Sequence, residues 1–157
     1  MGWQDKIAAQ DSDRTGGARM QYGALCWREA DAGLEVLLIT SRDTGRWIIP
    51  KGWPIAGLAP EAAAAQEAWE EAGVTGTISP DPLGRYGYDK VLTPDMALPC
   101  AVSVYALRVA ALARKFPERD QRRRKWFTAE KAARKVAEPD LRALLQAVAA
   151  GTVVLIA

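Results

Sequence analysis

Three glutamates, Glu67, Glu70 and Glu71, stand three and four residues apart in an alanine-rich segment. In an α-helix this spacing brings all three carboxylates to one face, one turn apart. Like charges so close repel one another, so the cluster destabilises the helix unless a positive group binds there. A hard divalent cation such as Mg²⁺ prefers oxygen ligands and shares its coordination shell with water and phosphate. The pattern therefore predicts a carboxylate metal site or, as the alternative, a solvated face of a glutamate-rich helix.

The helix that carries these glutamates has a defined start and end in the sequence. Pro60 suits the first turn of a helix, and Gly73 suits its C-terminal cap, so we expect a helix over residues 60–72. Its other side is small and apolar, with Ala64, Ala68 and Ala72, and can pack closely on a sheet. A glycine- and proline-rich segment at 51–58 predicts a loop leading into the helix.

The remaining elements alternate between strand-like and helix-like patterns. The sequence predicts strands at 21–28, 35–41, 47–49, 76–78, 84–91, 101–109 and 125–127, and two further helices at 129–136 and 139–150. We expect a flexible leader over residues 1–18 and a single domain over 19–157. Strands flanked by helices at both ends indicate a layered α+β domain.

Composition excludes several classes of chemistry. The 157 residues contain no histidine, so Ser-His-Asp and Cys-His catalysis and histidine-ligated zinc or haem are excluded. Cys26 and Cys100 lie far apart, so we expect two buried free thiols in a reducing, cytoplasmic protein. The polar N-terminus does not resemble a signal peptide, and no apolar run reaches the ~20 residues that span a bilayer. We therefore expect no membrane partner.

Charge is divided unevenly along the chain. Residues 1–80 contain 7 basic and 11 acidic side chains, whereas residues 81–157 contain 14 and 8. Most of the basic excess lies in the run at 114–125, which could bind several phosphates or could be a solvated loop and strand edge. Nucleic-acid binding through this short run ranks lowest, because Glu118 and Asp120 interrupt it and the net charge is only +2.

The segment from Gly52 to Val74 resembles the Nudix box, G-x5-E-x7-R-E-U-x-E-E-x-G-U, where U is a bulky apolar residue. The positions that match at the correct spacing are Gly52, Glu67, Glu70, Glu71, Gly73 and Val74. The resemblance implies the Nudix fold, a mixed β-sheet sandwiched between α-helices. It also implies a hydrolase that cleaves a diphosphate linkage with Mg²⁺ or Mn²⁺. Glu67, Glu70 and Glu71 would be the catalytic metal ligands, together with a backbone carbonyl of Lys51 or Gly52.

Two positions depart from the box, because Leu58 replaces its first glutamate and Gln66 replaces its arginine. In the family these two residues tend to pair and brace the loop against the helix. Losing both partners leaves no unpaired charge, so we interpret the departures as a change in the scaffold. The alternative is a catalytically silent Nudix-fold sensor that binds a nucleotide or an inositol phosphate.

Resemblance beyond the box is to the branch that hydrolyses diphosphoinositol polyphosphates and diadenosine polyphosphates. The matching stretches are R-W-I-I-P-K-G-W-P before the helix and the arginine-rich run that ends in K-W-F. This implies a small polyphosphate substrate, for which the candidate ligands are Arg46, Lys51, Trp53, Arg122 and Arg124. Since histidine is absent, the candidates for the general base are Glu67, Glu118 and Asp120. The apolar tail at 153–156 could pair with an edge strand, pack on the core or form a homodimer contact.

Overall fold

The computed structural model describes residues 17–155, which form a mixed sheet with helices on both faces. The strands are β1 (Arg19–Ala30), β2 (Gly33–Thr40), β3 (Trp47–Ile48), β4 (Lys51–Gly52), β5 (Val74–Thr93), β6 (Met96–Leu112) and β7 (Arg124–Thr128). The helices are α1 (Pro60–Ala72), α2 (Ala129–Lys135) and α3 (Pro139–Ala149), and a 3₁₀ turn spans Arg119–Gln121.

Strand β1 lies at the centre of the sheet. The strands follow the order β3-β2-β1-β6-β5, with β4 added to β1 and β7 added to β2. β1 pairs with β6 in parallel, whereas its pairings with β2 and β4 are antiparallel. This confirms the mixed sheet that the sequence predicts. The short β4 pairing, Tyr22 with Gly52 and Gly23 with Lys51, places the start of the box beside the central strand.

The two faces of the sheet carry separate apolar cores because side chains alternate along each strand. On one face Ala24 and Cys26 of β1 pack with the alanine stripe of α1. On the other face Leu25 and Trp27 pack with residues of α2 and α3, among them Leu141. The three helices therefore sandwich the sheet, as expected.

The helix that carries the glutamates has the predicted bounds. Gly73 ends it in the left-handed conformation, with φ 67°, and its amide donates to the carbonyls of Ala68 and Trp69. The segment at 51–58 is not wholly a loop, because Lys51 and Gly52 pair with β1. The strands predicted at 76–78 and 84–91 are one long strand, β5, in which register shifts around Pro82 accommodate the prolines.

Outside the site, the structure shows where the two cysteines and the apolar tail lie. Cys26 and Cys100 are buried free thiols, as predicted. Of the apolar tail, Val153 and Leu155 pack on the α2–α3 side of the core. The leader expected at 1–18 lies outside the described residues except for its last two positions. Within residues 17–155, no helix is both long and apolar enough to cross a membrane.

Candidate active site

Two glutamates of α1, Glu67 and Glu71, form an acidic wall where this helix packs beside β4. Glu67 and Glu71 lie one turn apart on α1 and face a cleft of about 210 Å³. The backbone amide of Lys51 donates to Glu71 Oε1 at 3.2 Å, which fixes that carboxylate against the loop. Gly52 adjoins Glu67 so closely that a Cβ at this position would collide with the Glu67 carboxylate. The cleft is lined by Gln21, Arg42, Ile48, Lys51, Gly52, Trp53, Glu67, Glu71, Lys90, Glu118 and Arg122.

Glu70 does not line this cleft. Its carboxylate accepts a hydrogen bond from Gln66 Nε2 at 3.2 Å, on the exposed side of the helix. Its backbone carbonyl accepts the amide of Glu118 at 2.9 Å, which places the Glu118 carboxylate in the cleft instead. Within residues 17–155, no three acidic or cysteine side chains are already gathered into a cluster that could hold a metal. The assignment of Glu70 as a metal ligand therefore stays a prediction.

Burial raises the pKa of both carboxyls of the acidic wall, Glu67 and Glu71. Desolvation, followed by the charge of Glu71, raises the pKa of Glu67 to about 8. Burial also raises the pKa of Glu71, although the nearby Arg122 opposes that shift. Two carboxylates forced together out of water are stabilised by a cation, and their oxygens are hard donors. These residues therefore fit a hard divalent ion such as the one the box implies.

Arg122 neutralises this wall from the opposite side. Its Nε donates to Glu118 Oε1 at 2.9 Å, and its Nη1 donates to the carbonyl of Thr40 at 3.0 Å. The remaining nitrogen, Nη2, lies 3.7 Å from Glu71 Oε2. The side chain is only 7% exposed, so its charge is held against both carboxylates. Arg122 therefore links the helix carboxylate to the loop carboxylate.

A second cavity of about 370 Å³ adjoins the acidic cleft and shares part of its lining. Five residues line both spaces: Arg42, Ile48, Lys51, Lys90 and Arg122. The rest of its lining comes from Ser41, Asp43, Thr44, Arg46, Tyr88, Asp89 and Val91. Lys51 lies at the junction, where its Nζ is 4.5 Å from the centre of the Tyr88 ring. The acidic wall therefore lies beside four cations, Arg42, Lys51, Lys90 and Arg122, that line both spaces.

The predicted substrate ligands are only partly brought together. Arg46, Lys51, Trp53 and Arg122 each line one or both spaces. Arg124 lies outside them, where it binds the backbone near the end of α1. Of the two loop carboxylates, Glu118 lines the cleft, whereas Asp120 lies in the exposed 3₁₀ turn outside it.

Sequence reasoning did not identify Arg42 or Lys90 as site residues. Arg42 follows β2, and Lys90 lies near the far end of β5, so 48 positions separate them. Neither belongs to the box or to the arginine-rich run. The pairing of β5 with β6, of β6 with β1 and of β1 with β2 brings these strand ends to one cleft. For Arg42 the signal was a basic residue just after a buried strand, which is weak, and Lys90 lies within β5 and gave no such signal.

The raised pKa of Glu67 predicts a stability that depends on pH in the metal-free protein. The pKa is about 8 in the folded chain, against an ordinary 4.5, so folding favours the protonated form. Stability is therefore greatest below pH 4.5, as far as this group is concerned, and is lost as pH rises through 8. We expect Glu67→Gln to flatten this slope and to raise the melting temperature at pH 8 by several degrees. Thermal unfolding in EDTA between pH 5 and 9 measures how the melting temperature depends on pH. If Glu67→Gln left this dependence unchanged, the result would contradict the burial of the Glu67 carboxyl.

Arg124 is expected to support the fold and not the substrate. Its Nη1 and Nη2 donate to the carbonyls of Ala72 and Ala113 at 2.6 and 2.7 Å, and its guanidinium packs over Phe116. Arg124→Met should lower the free energy of unfolding by about 2 kcal/mol, because two charge-assisted hydrogen bonds are lost. Turnover per folded molecule should stay within a few-fold. Urea unfolding and initial rates test this, and a selective loss of substrate affinity would return Arg124 to the site.

Comparison with known proteins gives one family. A family model of the NUDIX domain matches residues 19–148. Nudix hydrolase 16, mitochondrial, of Arabidopsis thaliana is 36% identical over 115 residues, covering 71% of this chain and 63% of that protein. Nudix hydrolase 12, mitochondrial, of the same plant is 32% identical over 146 residues, covering 77% of this chain and 71% of that protein. The chain thus spans about two thirds of the length of these relatives.

Solved structures share the fold at low sequence identity. The crystal structure of C. elegans Ap4A hydrolase superposes with a TM-score of 0.61 and 20% identity, covering 86% of this chain and 98% of that one. The NUDIX domain of Shewanella oneidensis NrtR, crystallised with ADP ribose, superposes with a TM-score of 0.65 and 16% identity. It covers 97% of this chain and 99% of the other. At these identities the likeness is one of fold.

Proposed function

Because the chain belongs to the Nudix hydrolase family, we propose that its cleft hydrolyses a phosphoanhydride bond in a small polyanionic substrate. The substrate class we favour is a dinucleoside polyphosphate or a diphosphoinositol polyphosphate, and the cofactor is Mg²⁺ or Mn²⁺. The relatives named above support a hydrolase, and the Ap4A hydrolase fold neighbour supports a polyphosphate substrate.

The observation that carries this proposal is the presence of opposite charges in two adjoining spaces that share five lining residues. Glu67, Glu71 and Glu118 line the inner cleft, and Arg42, Lys51 and Lys90 line both it and the adjoining cavity. Phosphoryl transfer depends on charge neutralisation and on an aligned water more than on covalent chemistry with the protein. A phosphate chain bound across the two spaces would place one anhydride at the acidic wall and its other phosphates against the shared cations.

The residues that line the two spaces have different roles in the proposed reaction. Glu67 and Glu71 would hold the divalent ion, which supplies charge neutralisation and activation of water when bound. Lys51 and Lys90 orient the phosphates beyond the acidic wall. Two carboxylates in the cleft could accept the proton of the attacking water, Glu67 and Glu118, whereas Asp120 lies outside it. Arg122 keeps Glu118 directed into the cleft through the 2.9 Å hydrogen bond.

A substrate panel tests the proposal. The panel contains diadenosine tetra- to hexaphosphate, a diphosphoinositol polyphosphate, ADP-ribose, nucleotide sugars and nucleoside triphosphates, each with Mg²⁺, with Mn²⁺ and with EDTA. We expect rapid turnover of the polyphosphates, abolished by EDTA. Turnover confined to nucleotide sugars or ADP-ribose would reject the proposed substrate class, and the protein would still be a hydrolase.

A silent sensor is the second candidate because position 58 is an exposed leucine and position 66 a neutral glutamine whose side chain donates to Glu70. The NrtR domain shows that a neighbour of this fold binds ADP ribose. A sensor predicts calorimetric binding of one panel member with no product formed under any metal condition. Metal-dependent product formation excludes it.

A further inference from the structure

A groove of about 420 Å³ lies beside β7, and we call it the basic groove. Its lining comes from Glu35 of β2, from residues 125–128 of β7, and from Lys131, Arg134 and Lys135 of α2. Among the described residues, it shares none of its lining with the two spaces of the candidate site. The proposed hydrolysis therefore makes no use of it.

The basic groove follows the outer edge of β7. Successive side chains of a strand point to opposite faces of the sheet. Trp126 accordingly packs with the core beneath α1, whereas Phe127 packs with the core beneath α2 and α3. A space that four consecutive residues line must then lie at the edge of the strand and not over one face. Within residues 17–155, β2 is the only strand that pairs with β7, so this edge has no strand partner.

The pairing register shows which main-chain groups of β7 point into the groove. Bonded and non-bonded pairs alternate along an antiparallel ladder. The amide of Thr40 donates to the carbonyl of Arg123 at 3.0 Å, at the next position of the β2–β7 register. Bonded pairs therefore recur at Lys125 and Phe127, and the amide and carbonyl of Trp126 point away from β2. Such outward groups on an edge strand can pair with another extended chain.

The charge of the basic groove is strongly positive. It has four cations, Lys125 from the edge strand and the three from α2, whose spacing of three and four residues places them on one helix face. Its one carboxylate, Glu35, already pairs with Arg28 at 2.7 Å. Arg134 contacts Glu130 at 3.1 Å, but these side chains are 61% and 78% exposed, and a pair so exposed contributes little. The groove thus has an excess of positive charge beside unpaired main-chain groups.

We propose that the basic groove binds an acidic segment of a partner protein, which adds to the edge of β7 as a further strand. The main chain of the segment pairs with the outward groups of Trp126, and its carboxylates lie against Lys125 and the cations of α2. Lysines on a strand edge discourage pairing with neutral or basic strands, so charge favours an acidic one. A phosphate chain would use the cations but would leave the main-chain groups unpaired. The inference does not depend on the proposed hydrolase, because the two sites share no residue.

The test measures binding of a short peptide in which glutamate alternates with valine. Three other probes are compared with it: the same peptide with every main-chain amide methylated, inorganic tripolyphosphate, and a single-stranded RNA. Calorimetry in EDTA gives the Kd of each probe. Lys131→Glu reverses one charge of the groove. Lys115→Glu is the matched control, because Lys115 is also exposed but lines neither the groove nor the two spaces of the site.

We expect Lys131→Glu to raise the Kd of the unmethylated peptide about tenfold, because the reversal removes one attraction and adds one repulsion. Lys115→Glu should not change it. Methylation should raise the Kd at least as much, because it removes the main-chain donors and keeps the charges. Absence of peptide binding, or equal binding of the methylated peptide, would overturn the inference. So would tighter binding of tripolyphosphate or RNA that Lys131→Glu weakens, which would make the groove a phosphate site.

Hydrogen exchange followed by NMR reports on the strand edge itself and needs no variant. Exchange of the Trp126 amide should slow when the peptide binds, because this amide gains a hydrogen-bond acceptor. The amides of Lys125 and Phe127 already donate to β2, so their exchange should change little. Tripolyphosphate should leave the Trp126 amide unaffected. Unchanged exchange at Trp126 in the peptide-bound protein would overturn strand addition.

Discussion

Replacing Glu71 with glutamine is expected to lower kcat/KM by at least about 10²-fold, because it removes the most enclosed negative charge of the acidic wall. Glu71 is buried, accepts the Lys51 amide and lies 3.7 Å from Arg122. Glutamine keeps the shape and can still accept the amide hydrogen bond. The loss should therefore come from weaker binding of the divalent ion. Initial rates at increasing Mg²⁺ concentration, with circular dichroism to confirm folding, measure the effect.

The control for this prediction lies on the same helix. Glu61 is in the first turn of α1 and lines neither cavity, so Glu61→Gln removes the same charge at a distance from the wall. Its activity should stay within a few-fold of the unmodified protein. If Glu71→Gln also kept its activity within a few-fold, the acidic wall would not be the metal site.

Substitution of Gly52 by alanine is expected to lower kcat/KM by about 10²-fold, the cost of displacing a reacting group by roughly an ångström. The added methyl group would occupy the space of the Glu67 carboxylate. The fold should survive, because the clash is with a side chain and not with the backbone. Steady-state kinetics, with thermal unfolding alongside, separate the loss of activity from a loss of folding.

Gly87 offers a matched control in the long strand of the neighbouring hairpin. A Cβ at this position would meet its nearest atom, the carbonyl oxygen of Cys100, at an ordinary 3.6 Å. Gly87→Ala should therefore leave activity and stability nearly unchanged. Full activity in Gly52→Ala would mean that Glu67 can move without consequence, and that its present position does not matter for turnover.

Local patterns were sufficient to predict much of the fold. Helix α1 was predicted with its observed bounds because its start and end depend on Pro60 and Gly73, and its packing depends on an alanine stripe. Strand β5 was not predicted as one element, since Pro80 and Pro82 usually interrupt a strand. Here the register shifts opposite β6 accommodate both prolines, a tertiary effect that the local sequence does not contain.

The candidate site, like the fold, could be predicted from local sequence only in part. Glu67 and Glu71 follow from helical spacing, and the structure places both in the cleft. Helical spacing also predicted Glu70 as a metal ligand; its carboxylate accepts a hydrogen bond from Gln66, and its role in metal binding stays a prediction. Arg122 and Arg124 are two residues apart in one basic run, but only Arg122 reaches the carboxylates. Which arginine does so depends on the pairing of β7 with β2, which spacing alone could not decide.

The structure also explains how the chain accommodates Leu58 and Gln66. The pair that would brace the loop is absent, and the Gln66 side chain donates to Glu70 instead. Arg122 supplies a guanidinium from the segment before β7 and is anchored by Thr40 and Glu118. The acidic wall therefore keeps a positive partner, which is consistent with a change in the scaffold and not with a loss of the site.

The most direct test of the central claim is ³¹P NMR of diadenosine pentaphosphate hydrolysis in H₂¹⁸O, with Mg²⁺ and with EDTA. Water attack on an anhydride phosphorus predicts ¹⁸O in one phosphate product and none in the ribose ester oxygen, with no reaction in EDTA. Binding of the nucleotide with no cleavage in Mg²⁺ or Mn²⁺ would contradict the account, and the protein would then be a sensor.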